Sequence, residues 1–335
     1  MFKRKVTGRN FWVFLLFIPL LVFQASPSAA QTKPEFKFDI SCVLDPQHPL
    51  TLAADMWAKL VNERTKGRVL ATVYPNSQLG GDRETIQATM SGMIQGNLDA
   101  TTKISNFIPQ LAVLDLPYLA DSTEKAYALL DGKFGDELVN ICVKSGLRPM
   151  GYWEVTLRHI YSSKVKIQSI GDLKGLKIRV IPSPSFVSLF KALGASPTPM
   201  NFGELYTGLS QGVVDAAEND LITYYTTKHF EVAKNMALTN HIFLVNTLNL
   251  SERHFSKLPS DIQKIMMDAA REAKNYLRKN RGDREKSVEE QLKTAGVTFT
   301  RPDLKPFIEK GRGTYPEFEG KVGKDLITKV LEASK

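Results

Sequence analysis

Apolar residues along this chain recur with two alternating periods. From Phe36 to Val43 the run FKFDISCV alternates apolar and polar positions, which predicts a half-buried strand. After the loop Asp45–Pro49, residues Leu50, Ala54, Trp57, Leu60 and Val61 recur at helical spacing to about Lys66, and Gly67 stops the helix. Val69–Tyr74 reads as the next strand, Pro75–Asp82 as a turn-rich loop and Arg83–Gln95 as a helix. Gly96–Asp99 then turns the chain toward a short strand over Ala100–Lys103. Strand, helix and strand in alternation predict a doubly wound α/β lobe. A second set follows, with a strand at Lys177–Ile181, helices near Ser185–Leu193 and Gly203–Gln211, and a strand near Val214–Ala217.

Two segments break this rhythm. Pro149–Tyr161 and His241–Leu250 are long and strand-like, and they flank the second set. A chain that builds one lobe, leaves for another and returns needs two crossing strands, and these segments are the candidates for that hinge. The expected boundaries are 31–155 for the first lobe, with a return segment over about 243–281. The second lobe takes 156–242, with a C-terminal part over about 282–335. From Pro259 to about Thr294 the stripe Ile262, Ile265, Met266, Ala269 and Ala273 predicts a helix. Gly282 is its only interruption, at a cost of up to about 1 kcal/mol against alanine. At about 1.5 Å per residue such a helix is roughly 54 Å long and spans both lobes. Two helices broken at Arg281–Gly282 are the alternative.

The first thirty residues differ from the rest. Lys3, Arg4, Lys5 and Arg9 precede a nearly unbroken apolar run, Phe11–Phe23, and no acid occurs before Glu35. Small Ser28 and Ala30 follow at the positions a signal peptidase reads, so a cleaved leader ending near Ala30 is expected, with export across the membrane. The run is short for a bilayer helix, which needs about 20 residues. An uncleaved anchor is the alternative. Removing residues 1–30 takes away four basic residues and no acids, so the formal net charge falls from +9 to +5. That excess is too small and dispersed to indicate nucleic acid. Cys42 and Cys142 are the only cysteines, open to pairing in an oxidising compartment or to burial as free thiols.

Chemistry-bearing motifs are scarce. The chain has no H-E-x-x-H, C-x-x-C, G-x-S-x-G, G-x-G-x-x-G or phosphate-cradling glycine loop, and its five histidines lack metal-ligand spacing. No cofactor, metal or enzyme class is indicated. The dense segment lies in the middle: Arg158, the block Leu173–Val180, Leu193–Ala195, Pro197–Met200, Phe202–Tyr206 and Gly212–Asn219. Arg179 falls at the carboxyl end of an apolar strand, the edge where ligands of open α/β sheets gather. Taken alone, a surface ion pair is the plainer role for such an arginine.

The pattern as a whole resembles the periplasmic solute receptors of TRAP (tripartite ATP-independent periplasmic) transporters, the DctP family, which binds dicarboxylates and other organic acids. Pro75–Gly80, Asp115–Leu119, the DLKGLKIRV block at 172–180, Phe202–Tyr206 and Val214–Asn219 carry the resemblance over essentially the whole mature chain. It implies a two-lobed Venus-flytrap fold of the periplasmic-binding-protein kind, closing about its crossing strands. It implies that Arg179 forks onto a ligand carboxylate, with Arg158 and Asn219 supplying further donors and Phe202 walling the site. Trp153 is a second candidate wall or else a core residue, and Lys103 a candidate for a second acidic group or else a solvated lysine. The implied partners are a small carboxylate and a small and a large integral membrane subunit, with a monomer as the main form and a dimer through the long helix open. A secreted organic-acid enzyme on the same fold, with Glu154 or Glu204 as acid or base, is one alternative. A receptor for an ATP-driven importer or a sensor kinase is another. The chain departs from the family pattern at Ala216 and Asp220, where glycine and proline are usual, and at Gly208 and Ser210, where alanine and glutamine are common.

Overall fold

The structure, a computed structural model, describes residues 1–3, 8, 33–120 and 122–334, so the expected leader and its cleavage near Ala30 fall almost wholly outside the described residues. Among the described residues the strands form two sheets. The first runs in the order β2 (Val69–Tyr74), β1 (Phe36–Cys42), β3 (Gly96–Ala100), β10 (Phe243–Ser251) and β4 (Leu147–Leu157). The second runs β11 (Thr298–Thr300), β9 (Asn235–Ala237), β5 (His159–Ser162), β8 (Ala216–Asn219), β6 (Lys177–Val180) and β7 (Ser196–Pro199). Parallel pairs β1–β2, β1–β3, β6–β7 and β6–β8 make each lobe doubly wound, and β10 and β5 enter antiparallel.

Each sheet is covered on both faces. In the first lobe, Phe38, Ile40, Cys42 and Leu98 pack against Trp57 of the helix Pro49–Arg64 and against Ile262, Met266 and Ala269 of the long helix. The Trp57 indole also donates to the Met266 carbonyl at 3.2 Å, fixing the two helices in register. In the second lobe Ile178, Val180, Phe186, Leu189 and Phe190 form one core, and Tyr161, Leu205, Tyr224 and Met236 form the other.

The long helix is continuous over Ser260–Thr294, with no break at Gly282. Its first half lies in the first lobe's core, and Val288 and Leu292 lie in the second lobe's. The crossing segments meet at one place. β4 ends at Leu157 in the first sheet and β5 begins at His159 in the second, leaving Arg158 between them. The returning chain passes from β9 to β10 through residues 238–242. There the Arg158 amide donates to the Ile242 carbonyl at 3.0 Å and the His241 amide to the Arg158 carbonyl at 3.2 Å. The second crossing thus overlaps the start of the segment His241–Leu250.

Three details depart from expectation. β3 covers Gly96–Ala100, and Lys103 sits on the short helix Thr101–Ile104 instead of a strand or loop. The turn-like composition at 96–99 has a packing cause: a side chain on Gly96 would meet the Asn249 carbonyl at 2.7 Å, so glycine is required between β1 and β10. The chain after the long helix also departs from the expected second-lobe assignment of 282–335. β11 joins the second sheet, but Phe318, Val322, Leu326, Ile327 and Val330 bury their apolar stripe in the first lobe beside Leu116, Leu130 and Leu138. Cys42 and Cys142 are free and buried in different cores, and burial pushes their thiols up to about 11 and about 12.

Candidate functional site

Arg179 is the third residue of β6 and is only 1% exposed. Its neighbours Ile178 and Val180 are core residues, which anchors the strand and leaves the long arginine stem to carry its head to the carboxyl edge of the sheet. There its Nε donates to the Met200 carbonyl at 2.9 Å, and its guanidinium lies 5.8 Å from the centre of the Phe202 ring. Among the described residues no carboxylate comes within ion-pair distance of it.

That isolation separates Arg179 from the chain's other buried arginines. Arg158 forks onto Glu218, with Nη2 at 2.9 Å from Oε1 and Nε on Oε2, and its Nη1 donates to Asn219 Oδ1 at 2.7 Å. Arg281 of the long helix reaches Glu154 at 2.6 Å. Burial lowers the proton affinity of all three. In Arg158 and Arg281 the partner carboxylates override burial and the net shift is upward; in Arg179 burial prevails and the shift is downward. Arg179 is thus a buried cation that the protein does not neutralise, and its fork retains two nitrogens suited to a planar anion.

These groups face a space between the lobes. The second lobe contributes Arg158, Arg179, Ile181, Phe202, Asn219, Asp220 and Thr223; the first contributes Val43, Leu44, His48, Leu50, Ala100, Lys103, Leu244 and Asn246. The cavity holds about 50 Å³, so the lobes lie close together. Direct bonds join them on two sides: His48 Nε2 with Thr223 Oγ1 at 3.1 Å, and Asn106 Nδ2 to the Pro182 carbonyl at 3.0 Å. Beyond the Asn106 contact opens a larger recess of about 400 Å³, lined by Ser105, Pro184, Ser188, Glu317 and Lys321 among others. No buried charged group lines it, so charge rather than volume makes the smaller cleft the candidate site.

Of the six residues singled out from the sequence, Arg179, Arg158, Asn219, Phe202 and Lys103 line this cavity, and Trp153 does not. The pairing of β4 with β10 passes from Glu154 opposite Asn246 to Tyr152 opposite Thr247, so Trp153 is the extra residue of a β-bulge. Its indole turns into the first lobe's core and donates to the Met150 carbonyl at 3.1 Å. Lys103 is present but engaged, with Asp82 at 2.7 Å and Asp99 at 3.0 Å. Burial, and then the neighbouring Asp82 carboxylate, push Asp99 up to about 7. Glu154 and Glu204, the acids an enzymatic reading needs, are not in the lining: Glu154 is paired with Arg281 and Glu204 is exposed.

His48, Asp220, Thr223 and Asn246 also line the cavity without having been marked in the sequence as ligand groups. His48 Nδ1 caps the helix Pro49–Arg64 by accepting from the Leu50 amide at 3.2 Å, so its proton sits on Nε2 and is donated to Thr223. Thr223 in turn donates to Asp220 Oδ2 at 2.7 Å, while Asp220 Oδ1 caps the helix Leu221–Thr226. Asn219 Oδ1 is occupied by Arg158 and by the Asp220 amide, which leaves its Nδ2 as a donor toward the cavity. The usable signals were the H-P step at 48–49, which marks a capped helix start, and Asp220 standing where proline is usual.

The family model of the bacterial extracellular solute-binding proteins, family 7 (DctP), matches residues 40–321. The chain belongs to that family. This family-7 protein is 34% identical over 298 residues to the 2,3-diketo-L-gulonate-binding periplasmic protein YiaO of Escherichia coli, a match covering 88% of this chain and 89% of the relative. The sugar acid binding protein DctPAm of Advenella mimigardefordensis, solved with galactonate, superposes with a TM-score of 0.86 at 30% identity, covering 90% of this chain and 98% of that one. A TRAP periplasmic solute-binding protein of Sulfurospirillum deleyianum, solved with succinate, gives 0.83 at 33% identity, covering 90% and 100%. The two-lobed fold is therefore that of the TRAP periplasmic binding proteins, and these relatives are described as solute-binding proteins. No helix among the described residues is long and apolar enough to cross a membrane.

Proposed function

We propose that this family-7 protein is a non-catalytic periplasmic receptor that closes around a small organic acid and delivers it to a TRAP-type secondary transporter. The observation that carries the reading is Arg179: a guanidinium 1% exposed, aimed into the interlobe cleft and left without a carboxylate partner among the described residues. A ligand carboxylate cancels that charge, and Asn219 Nδ2 offers it a further hydrogen bond. The relatives' ligands, a diketogulonate, galactonate and succinate, all carry a carboxylate. By the same likeness the partners are a small and a large integral membrane subunit, with uptake driven by an ion gradient without ATP. The leader is removed near Ala30 and the exported form is mainly a monomer.

A thermal-shift screen of the mature chain against C3–C10 carboxylates, neutral sugars and amines tests the reading. A true ligand at 100 times its dissociation constant stabilises by about 2.7 kcal/mol. Carboxylates alone should do so. Stabilisation by a neutral sugar of the same carbon skeleton, with none by its acid, overturns the proposal.

A further inference from the structure

The charges around the cleft come to an uneven total. Three cations line it: Arg158, Lys103 and Arg179. Glu218 neutralises the first, and Asp82 and Asp99 together more than neutralise the second. Arg179 alone keeps its charge for a ligand. One carboxylate, Asp220, also lines the cavity. Burial raises its proton affinity, but Arg281, the His48 side and the hydrogen bonds from Thr223 bring the net shift below the ordinary value, so Asp220 is ionised at neutral pH.

The remaining polar capacity is neutral. Asn219 offers Nδ2, and the Asn246 side chain makes no hydrogen bond among the described residues and so offers a donor and an acceptor. Thr223 and the unused lone pairs of Asp220 add hydroxyl-matching groups. Asn246 stands on β10 of the first lobe and Asp220 on the second, so a chain of hydroxyls touches both.

We infer that the cleft selects acids carrying one carboxylate and a hydroxylated chain, and that Asp220 turns away acids carrying a second carboxylate. The inference rests on the carboxylate reading above and narrows it. A first carboxylate meets the unpaired guanidinium. A second finds no free cation, loses its hydration and faces a buried carboxylate, which is the repulsive element that specificity requires. A hydroxyl at the same position donates to Asp220.

Isothermal titration of the mature chain with matched pairs tests this: gluconate and glucuronate against glucarate, galactonate and galacturonate against galactarate, threonate against tartrate, with succinate added. Each pair shares a carbon skeleton and differs in the second acid group. The expected result is a monoacid bound at least 100-fold tighter than its diacid. A diacid bound as tightly as its monoacid, or succinate bound above all, overturns the inference and leaves the carboxylate reading standing. Binding of no acid in the panel overturns both. Asp220→Asn keeps the acceptor oxygen that caps the helix and removes the charge. In that variant the monoacid-to-diacid ratio should fall at least tenfold. An unchanged ratio in a variant with wild-type circular dichroism removes Asp220 as the selecting residue.

Discussion

Replacing Arg179 by methionine should separate binding from folding, and in opposite directions. In the closed arrangement without ligand the guanidinium has one hydrogen bond, to the Met200 carbonyl, and a ring neighbour at 5.8 Å. Losing that bond costs about 1.5–3 kcal/mol, while removing an unpaired cation from a buried site relieves a desolvation penalty of several kcal/mol. Methionine fills similar volume, so no large cavity opens. The unliganded melting temperature should therefore hold or rise. Binding should collapse, because two charge-assisted hydrogen bonds to a carboxylate, at about 1.5–3 kcal/mol each, amount to a 10²- to 10⁴-fold loss of affinity, about tenfold per 1.4 kcal/mol. At ~2 °C per kcal/mol for a chain of this size, ligand at 100 times the wild-type dissociation constant shifts the wild type by about 5 °C. At the same concentration the variant gains under about 0.5 kcal/mol, or ~1 °C. Differential scanning fluorimetry with and without ligand reads both numbers. A fall of several degrees in the unliganded variant together with an intact ligand shift would refute the reasoning, since Arg179 would then be a structural residue.

Arg158→Met should behave in the contrary way: it strands Glu218, which is fully buried, and should cost about 3–5 kcal/mol of stability, seen as a clear fall in unliganded melting temperature. Affinity should weaken on acidification through His48. Burial lowers that histidine to about 4 in this closed arrangement, with Asp220 and Asp45 opposing and Arg284 and Arg281 assisting, while an open, hydrated His48 titrates near about 6.5. Protons therefore favour the open form, and the dissociation constant should rise roughly twentyfold between pH 7 and pH 5 by this linkage, an effect His48→Gln should flatten in titration calorimetry. The thiols of Cys42 and Cys142 should react with Ellman's reagent only in denaturant, with both titrating without reductant; a single disulfide by mass would contradict the separate cores.

Much of the scaffold was legible because its elements are long and strictly periodic. β1, β2, the helix Pro49–Arg64 and β6 lie within a residue or two of where apolar spacing puts them. The long helix was equally plain, since nine buried residues keep its stripe across Gly282. β3 was misplaced because its composition answers to close packing and to the Asp99–Lys103 pair, and glycine, asparagine and aspartate in that role look like a turn. Trp153 was misjudged for a related reason: a single bulge residue reverses the face on which a strand side chain emerges, and nothing in the local pattern announces a bulge. The engagement of Lys103 and Arg158 is a third kind of gap. Sequence marks a cation but not whether another segment cancels it, and Glu218 and Asp82 are brought to them only by the folded sheets.

That distinction between cancelled and uncancelled charge bears on how such a molecule signals occupancy. On the proposed reading, closing the cleft moves Arg179 from a hydrated surface to a site where it is 1% exposed, and the bonds His48–Thr223 and Asn106–Pro182 form as the lobes meet. Two interlobe hydrogen bonds contribute about 1–3 kcal/mol in total, comparable to or smaller than the cost of desolvating an unpaired guanidinium. Closure without an anion is then near balance or unfavourable, and a bound carboxylate removes the opposing term while adding contacts to both lobes. A ligand shifts a conformational equilibrium only by its differential affinity for the two states. Here that differential resides in one unneutralised charge, on a strand separated by β8 alone from the crossing at Arg158 about which the lobes are proposed to pivot.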